Sequence, residues 1–456
     1  MQGIKQLAIS SVITLIAGAI SYLILSKYIS IEHFAVYSLA IGVTKLFSYL
    51  IDSGIKISII RSKDERLAKK IKTTIILYQI MMIIMVLLAY IFNNIYELGD
   101  EFTFIIFYVM PFALTMPLIS VYTGYNEKNK KFGKVAKAES ISNVIEYVLP
   151  IYFIIEIGFS SYVIVPFVWI SRIARLYILE NRSFTKELVH AKWNIKKVKQ
   201  SKAFAKEVGV YQLSSILSSI RDNLQFIIIM PIIGLASAGY YSWAMQMVGL
   251  ASQIIINPIN RVILPSLAGE KNKGQNQIIK EKMIVLSLRV ILPIIIPINI
   301  YANFIDATLY ENKWEISLIL IPYIAFRMIA GAIIGPVFNY FLNTSTHMEV
   351  LKFNLVWTLS EIIVAFIITS VYGFVGLAIA YAVTPYLIIC YLYKLNGINI
   401  FRWIKLVIND TIILINIFIF LMVHLINSKM EINIWVLAII SFTMTAIGII
   451  KYKKEK

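Results

Sequence analysis

The chain has 456 residues, of which 59% are hydrophobic and only 15% are charged. Soluble domains have about 45–50% apolar and 25% charged residues, whereas apolar runs of about 20 residues, the length of a membrane-spanning helix, recur here from end to end. The composition predicts an all-α, polytopic membrane protein. The net charge of +18 would indicate a nucleic-acid partner in a soluble protein, but here the loops between the apolar runs account for it, and no nucleic acid is expected.

About 14 transmembrane helices are expected, and we number these predicted spans in chain order. The first stretch, MQGIKQLAISSVITLIAGAISYLIL, lacks a small-residue cleavage site, so we interpret it as a retained first span. Spans 7 and 8 come from the stretch 207–267. The approximate limits of the other spans are 7–28, 34–60, 73–92, 102–123, 139–157, 162–179, 283–301, 316–340, 352–370, 374–393, 406–426 and 432–450.

Alternate loops between the spans are basic. The loops after spans 2, 4, 6 and 8 are rich in lysine, as is the tail KYKKEK, whereas the intervening loops carry almost no cation except Lys313 and Lys429. Cytoplasmic loops of membrane proteins carry an excess of lysine and arginine. The pattern therefore predicts that both termini and all the basic loops lie on the cytoplasmic side.

The sequence gives no indication of an enzyme. No loop is longer than the basic stretch 181–206, which is too short for a catalytic or nucleotide-binding domain, and the motifs GxxxxGK[ST], GxGxxG, HExxH and GxSxG do not occur. The four histidines have no metal-ligand spacing. The single cysteine, Cys390, cannot form an intrachain disulfide. We expect no catalytic residue, no metal and no cofactor.

The two halves of the chain resemble one another. The segment FAVYSLA at 34–40 matches AGYYSWA at 238–244, and the same offset sets Ser11 on Ser215. Because six spans separate the copies, the halves have the same orientation, an arrangement that many alternating-access transporters use. The predicted domains are an N-lobe at 1–180 (spans 1–6), a basic cytoplasmic linker at 181–206, a C-lobe at 207–394 (spans 7–12), and spans 13 and 14 with a basic cytoplasmic tail at 395–456.

Spans 4 and 10 each contain two prolines. Proline removes a backbone hydrogen bond and bends a helix, so matching prolines in two halves indicate helices that move or line the substrate path. Proline is also more frequent in membrane helices in general, which leaves an ordinary explanation open. The candidate hinge residues are Pro111, Pro117, Pro322 and Pro336.

Charged side chains occur deep inside several predicted spans, and polar residues recur at helical spacing along 207–267. A charge near the bilayer centre is costly unless it faces protein or water, so such a stripe indicates the wall of a pathway. A buried ion pair that only fixes helix packing is the alternative. Cations suit an anionic substrate, because arginine binds phosphate oxygens bidentately. The candidate substrate-binding residues are Lys45, Arg221, Asn223, Asn257, Arg261 and Arg327.

Acidic residues accompany these cations and are interpreted as counter-charges or as sites of proton or ion coupling. Asp222 follows Arg221 directly, which favours structural pairing. Glu146 and Glu361 have no cation near them in the sequence, so coupling, substrate contact and pairing with another helix all stay open. The candidate coupling or counter-charge residues are Asp52, Glu146, Asp222 and Glu361. Polar faces on so many spans predict a central cavity of mixed to cationic character.

Two groups of segments resemble a known family. The opening ISIEHFAVYSLA with IDSG at 51–54, and the later stretches IRDNLQFIIIMPIIGLASAGYYSWAMQMV and INPINRVILPSLA, resemble Wzx-type polysaccharide flippases. These belong to the multidrug/oligosaccharidyl-lipid/polysaccharide exporter superfamily. The resemblance covers essentially the whole chain. It implies a two-lobed helical bundle that alternates between cytoplasm-facing and outward-facing forms.

The resemblance also implies a function. Such a protein moves an undecaprenyl-pyrophosphate-linked oligosaccharide, such as an O-antigen unit, across the bacterial cytoplasmic (inner) membrane, and the deep cations would receive the pyrophosphate. Its partners would be the lipid-linked glycan, the bilayer, and polysaccharide polymerase and chain-length machinery, with the protein itself a monomer. Alternatives are a multidrug or organic-cation antiporter, which would have a net acidic lumen, a flippase for the lipid-linked peptidoglycan precursor, and a membrane polymerase or ligase, which would show a large extracytoplasmic loop.

The charge pattern predicts the topology of the chain. Reporter domains fused after residue 72 or at the C-terminus should be active only as cytoplasmic reporters, because the flanking loops are basic. A fusion after residue 100, in a loop without cations, should be active only as an extracytoplasmic reporter. The same reporter activity at all three positions would contradict the predicted orientation.

Overall fold

A computed structural model of the chain describes residues 2–61, 99–157, 161–190, 216–249 and 273–395, together with shorter pieces between 75 and 91 and residues 213, 214, 410 and 413. Every regular element among these residues is a helix, and the part of the chain that is described contains no strand. The all-α prediction is confirmed. By packing, the chain divides into two compact units, Met1–Leu224 and Gln225–Lys456. The four predicted domains themselves stay a prediction.

Besides helical residues between 75 and 91 and between 213 and 222, the first unit contains seven helices in the ranges 2–61, 99–157 and 161–190. They are α1 (Gln2–Tyr28), α2 (Ile31–Arg61), α3 (Asp100–Lys128), α4 (Phe132–Tyr147), α5 (Leu149–Ile157), α6 (Ser161–Leu179) and α7 (Arg182–His190). Predicted span 5 corresponds to α4 and α5 together. The helix is interrupted at Val148, two residues before Pro150, because proline lacks an N–H and its ring crowds the carbonyl four residues earlier.

The predicted linker starts as part of the first unit. α7 has one apolar side, on which Phe184 is buried and stacks on Tyr125 of α3 with 4.1 Å between ring centroids. The hydroxyl groups of Tyr122 and Thr185 are 2.8 Å apart. These contacts fix α7 against the ends of α3 and α6. The rest of the linker, 191–206, lies outside the described residues.

The second unit begins with a short π-helix, Gln225–Ile229, and continues through α8 (235–249). It further contains α9 (Lys273–Leu309), α10 (Ile321–Thr344), α11 (His347–Tyr372) and α12 (Phe374–Leu395). α11 starts with a capping box, in which Thr346 and Glu349 satisfy each other's backbone N–H groups. The packing pattern repeats that of the first unit, since α10 and α11 both pack on α12 as α3 and α4 pack on α6.

Five described segments are long and apolar enough to cross a membrane: Phe102–Lys128, Phe132–Ile157, Ile321–Phe338, Met348–Tyr372 and Phe374–Leu395. A sixth is present if Ser287–Asn299 and Tyr301–Leu309, which are bent by 47°, form one span. The protein is therefore a multi-pass membrane protein. The total of about 14 spans stays a prediction, since several predicted spans fall on residues outside the described ranges.

Three of the four candidate hinge prolines lie inside helices. Pro111 and Pro117 are inside α3, and Pro336 is inside α10. Pro322 lies in the first turn of α10, where the missing N–H would have no intrahelical partner in any case. Pro322 therefore does not interrupt this helix as the sequence had suggested. The hinge role of the four residues stays a prediction.

The contact between α11 and α12 depends on a glycine. A Cβ added at Gly376 would meet the backbone of α11 at the carbonyl of Ile368 and at 2.6 Å from the Cα of Thr369. Gly376→Ala should therefore lower the free energy of unfolding by about 1–3 kcal/mol through overpacking. The measurement is thermal unfolding of the purified protein in detergent.

Gly331→Ala is the matched control, because a Cβ at Gly331 in α10 would meet nothing within 4 Å. This substitution should leave stability unchanged or raise it by up to about 1 kcal/mol, since alanine favours helix more than glycine. Equal destabilisation by both substitutions would contradict the close α11–α12 contact.

Candidate functional site

The middle of α2 presents a charged side chain that is not buried in the helix packing. Lys45 is exposed near the midpoint of this helix, and Asp222 is also exposed. The two charges are close enough to interact electrostatically. Exposed charges halfway along a helix that is predicted to span the membrane need water or a polar ligand around them, because lipid tails cannot solvate them. Of the predicted substrate-binding cations that the structure describes, Lys45 is the most accessible.

The side chain of Asn223, next to Asp222, packs on the backbone of α2 at Gly42. Gly42 lies one helical turn before Lys45, and a Cβ there would collide with the Asn223 side-chain oxygen and lie 3.1 Å from the Asn223 Cγ. The side-chain amide of Asn223 donates to the carbonyl of Ser219 at 2.7 Å. Glycine at position 42 therefore permits the approach that places Lys45 near Asp222.

Arg221 differs from its neighbour Asp222 in its surroundings. Arg221 is 7% exposed, and its Nη2 donates to the Ser218 hydroxyl at 2.9 Å. Adjacent residues on a helix point about 100° apart, which explains why one is buried while the other is exposed. Arg221 thus contributes to packing in this structure, and its predicted contact with substrate stays a prediction.

Glu146 lies in a buried ion pair with a residue that the sequence reasoning did not select. Its carboxylate accepts from Arg172 of α6 and, at 3.1 Å, from the Ser171 hydroxyl. Both side chains of the ion pair are almost fully buried. The Arg172 guanidinium also lies over the ring of Phe112 in α3, with its Cζ 3.8 Å from the ring centroid. This cation–π contact adds to the stabilisation of a desolvated charge.

The polar face of α1 bonds to α4. Ser140 donates to Ser10 at 3.1 Å, Ser10 donates to the carbonyl of Ala136 at 3.1 Å, and Asn143 donates to Thr14 at 2.7 Å. Small hydroxyl side chains permit close approach of membrane helices and link them by hydrogen bonds. These side chains join two helices of one unit, so they give no support of their own to the predicted cavity.

The second unit has an ion pair of the same kind. Arg327 of α10 pairs with Glu361 of α11, and its Cζ lies 3.9 Å from the centroid of the Tyr381 ring of α12. The Glu361 side chain is fully buried and that of Arg327 is 11% exposed. Both residues thus pair across helices, which was one of the alternatives for Glu361. Contact of Arg327 with substrate stays a prediction.

The two ion pairs occupy related places in the repeat. Setting Gly158–Phe159 on Gly373–Phe374 without a gap places Glu146 on Glu361 and Phe112 on Arg327. The glutamate comes from the equivalent helix in both units. The arginine comes from α6 in the first unit and from α10 in the second. The aromatic ring is that of Phe112 in α3 in the first unit and that of Tyr381 in α12 in the second. Both units therefore build the same three groups, and the helices that supply the arginine and the aromatic ring differ between them.

Several predicted site residues cannot be placed. Asn257 and Arg261 lie outside the described residues, and Asp52 lies in α2 with a side chain that is not described.

The sequence analysis did not predict two further ion pairs: Arg175 with Glu139 at 3.2 Å, and Arg289 with Asp410 at 2.8 Å. The sequence could have indicated the two arginines of α6, because Arg172 and Arg175 lie one helical turn apart inside an apolar span. Among the described residues no three His, Cys, Asp or Glu side chains converge as metal ligands would.

The fold is similar to that of solved membrane transporters. A lipid II flippase, MurJ, in an inward closed conformation superimposes with a TM-score of 0.75 at 16% sequence identity, covering 98% of this chain and 99% of that one. An inward-facing multidrug resistance MATE family transporter of the MOP superfamily superimposes with a TM-score of 0.65 at 13% identity, covering 89% of this chain and 100% of that one. At these identities the likeness shows the fold alone.

The sequence defines the family. Residues 24–319 match the profile of the family described as "Polysaccharide biosynthesis protein", and the chain belongs to this family. An uncharacterized membrane protein in the cps region of Klebsiella pneumoniae is 24% identical over 396 residues, 83% of this chain and 78% of that protein. The teichuronic acid biosynthesis protein TuaB of Bacillus subtilis (strain 168) is 22% identical over 354 residues, 74% of this chain and 69% of that protein. The resemblance found in the sequence is thereby confirmed.

The buried ion pairs should behave as coupled units in stability measurements. Arg327→Met leaves the buried Glu361 carboxylate without its arginine, and we expect a loss of about 3–5 kcal/mol. The double substitution Arg327→Met with Glu361→Met should recover most of that loss, because no buried charge remains. Thermal unfolding in detergent, analysed as a double-mutant cycle, measures the coupling.

Arg175→Met is the control for this cycle, because the side chains of Arg175 and Glu139 are 15% and 29% exposed. We expect a loss of about 1 kcal/mol or less there. Additive losses in the Arg327 and Glu361 cycle would show that the two residues do not stabilise one another.

Proposed function

We propose that the protein is a flippase that translocates undecaprenyl-pyrophosphate-linked oligosaccharide repeat units, of O-antigen or a similar surface polysaccharide, across the cytoplasmic membrane. The observation that carries this proposal is the match of residues 24–319 to the polysaccharide biosynthesis protein family. The fold shared with a lipid II flippase over 98% of the chain supports it, because a flippase moves a lipid across the membrane.

The proposed path for the headgroup uses Lys45. A phosphate that leaves water needs a fixed cation, and charge-assisted hydrogen bonds are about twice as strong as neutral ones. Lys45 is exposed near the middle of α2, and Asp222 lies near enough to balance its charge while the path is empty. In this proposal the anionic headgroup replaces Asp222 as the partner of Lys45. The two lobes then alternate between the two membrane faces around this position.

The buried ion pairs have a different proposed role. Glu146 and Glu361 are engaged by Arg172 and Arg327, so we assign them as counter-charges that keep each unit rigid as it moves. Opening such a pair in an apolar interior is strongly unfavourable, which argues against proton or ion coupling at these carboxylates. Of the four acidic candidates, Asp222 is the exposed one among those whose side chains are described, and a coupling role suits it best.

Two alternatives share the scaffold. A multidrug or organic-cation antiporter is supported by the MATE neighbour, but that protein is 13% identical and shows only the fold. A flippase for the lipid-linked peptidoglycan precursor is supported by MurJ, which is 16% identical. The family match and the relatives from the cps region and from teichuronic acid biosynthesis favour a polysaccharide unit over both.

The proposal includes the location of the protein, its oligomeric state and the use of its product. The protein acts in the bacterial cytoplasmic membrane as a monomer with both termini in the cytoplasm, and it transports without catalysing a reaction. Its product is a lipid-linked repeat unit on the outer face. A polysaccharide polymerase and its chain-length machinery must consume that product, since accumulation would sequester the lipid carrier.

The test is the lipid-linked glycan pool in a deletion strain, measured separately for each face of the membrane. Glycan should accumulate on the cytoplasmic face, and surface polysaccharide should disappear. Complementation with the wild-type gene should restore both, whereas Lys45→Ala should restore export at a rate at least tenfold lower, because the headgroup phosphate loses its cation. Lys45→Arg should retain most of the activity.

Lys27→Ala is the control, because Lys27 is an exposed lysine at the end of α1, and this variant should complement fully. Continued export in the deletion strain, with increased sensitivity to cationic drugs, would replace the flippase proposal by the antiporter. Unchanged export by Lys45→Ala, Arg261→Ala and Arg327→Ala would refute a cationic path.

A further inference from the structure

A dense cluster of cations lies at one end of the first unit. The turn from α3 to α4 carries Lys128, Lys130 and Lys131, and all three side chains are exposed. Lys134, Lys137, Arg182 and Lys186 belong to the same end, against the acidic residues Glu127, Glu180 and Glu187. We call these seven cations the basic rim. Its charge is unbalanced, and none of its members belongs to the proposed path.

The basic rim is built on a fixed surface. Lys134 at the start of α4 donates to the backbone carbonyl of Glu180, which lies between α6 and α7. The side chain of Asn126 near the end of α3 donates to the carbonyl of Leu179 at 2.9 Å. These bonds hold the α3–α4 turn beside the start of α7, so the cations of the two elements form one surface.

The cations are not required by the turn itself. In the gap-free register that sets Glu146 on Glu361, Lys128, Lys130 and Lys131 correspond to Asn343, Ser345 and Thr346. The equivalent turn, between α10 and α11, is therefore built without lysine or arginine and is closed by a capping box instead. Chain reversal at this place in the repeat needs no positive charge, which leaves the rim to be explained by something that it contacts.

The position of the rim indicates that contact. Lys128 ends one membrane-spanning segment and Phe132 begins the next, so the turn lies at the level of the lipid headgroups. Just before α7, the outer side of α6 exposes Ile170, Ile173 and Tyr177, and Tyr177 is 80% exposed. An exposed apolar stripe that ends in tyrosine is typical of a helix surface passing from lipid tails into the interface. The basic rim continues this lipid-facing surface.

We propose that the basic rim binds the phosphate headgroups of anionic phospholipids in the surrounding leaflet. A cluster of four to eight cations beside a membrane helix is the recognised pattern for such binding. Each lysine near the surface changes the affinity by about fivefold. Their long apolar stems lie along the interface while the ammonium groups reach the phosphates. The bound lipids anchor the end of the first unit. This inference is independent of the transported substrate.

The experiment measures binding of short-chain phosphatidylglycerol to the purified full-length protein in neutral detergent, by native mass spectrometry. The variant Lys130→Asn with Lys131→Gln should bind about 25-fold more weakly, from two lysines at about fivefold each. Asparagine is chosen at position 130 because its φ is 57°, a left-handed conformation that asparagine tolerates. Thermal unfolding should be the same as for the wild type.

The charge-matched control is Lys352→Gln with Lys394→Gln, two exposed lysines at the adjoining ends of α11 and α12. It should change phosphatidylglycerol affinity by less than twofold. Equal weakening by both variants would overturn the proposal in favour of net charge alone. Unchanged binding by the rim variant would overturn it in favour of another partner, such as an acidic protein. Equally tight binding of glycerol phosphate would show a site for a soluble phosphate instead of a lipid.

Discussion

The cost of placing a charge in an apolar interior governs the organisation of this protein. Neither unit leaves its buried glutamate alone: Glu146 is held by Arg172 and Glu361 by Arg327, and in both cases an aromatic ring covers the guanidinium. Three helices must meet for each arrangement to form, so each ion pair specifies the packing of its own unit. Both units combine a glutamate, an arginine and an aromatic ring, although the arginine comes from α6 in the first unit and from α10 in the second.

Accessible and buried charges therefore have different meanings in this chain. A buried pair such as Arg327 and Glu361 is already satisfied, so a substrate gains little by approaching it. Lys45 and Asp222 are both exposed, so a ligand can reach these two side chains. Gly42 permits this arrangement because it leaves room for the Asn223 side chain. In the proposed function, an anionic lipid-linked headgroup is the ligand of these exposed charges.

The long apolar stretches were sufficient to predict the all-α fold and the multi-pass membrane setting. The family resemblance came from particular segments, such as ISIEHFAVYSLA and INPINRVILPSLA. The limits of most described helices lie within several residues of the prediction, as for α6 (Ser161–Leu179) and α12 (Phe374–Leu395). The exceptions have local causes. Proline at position 150 divides span 5, and α3 and α9 continue in polar sequence beyond their apolar segments.

The sequence by itself determined which residues are ionisable and lie in spans, and hence which of them could serve transport. Only the tertiary structure decided how they are used. Arg172 and Glu146 are 26 positions apart, and Arg289 and Asp410 are 121 apart, so no local pattern links them. Conversely, Arg221 and Asp222 are adjacent, yet one is buried and the other exposed. Pairing depends on which helix faces meet, and this is set by packing among several helices at once.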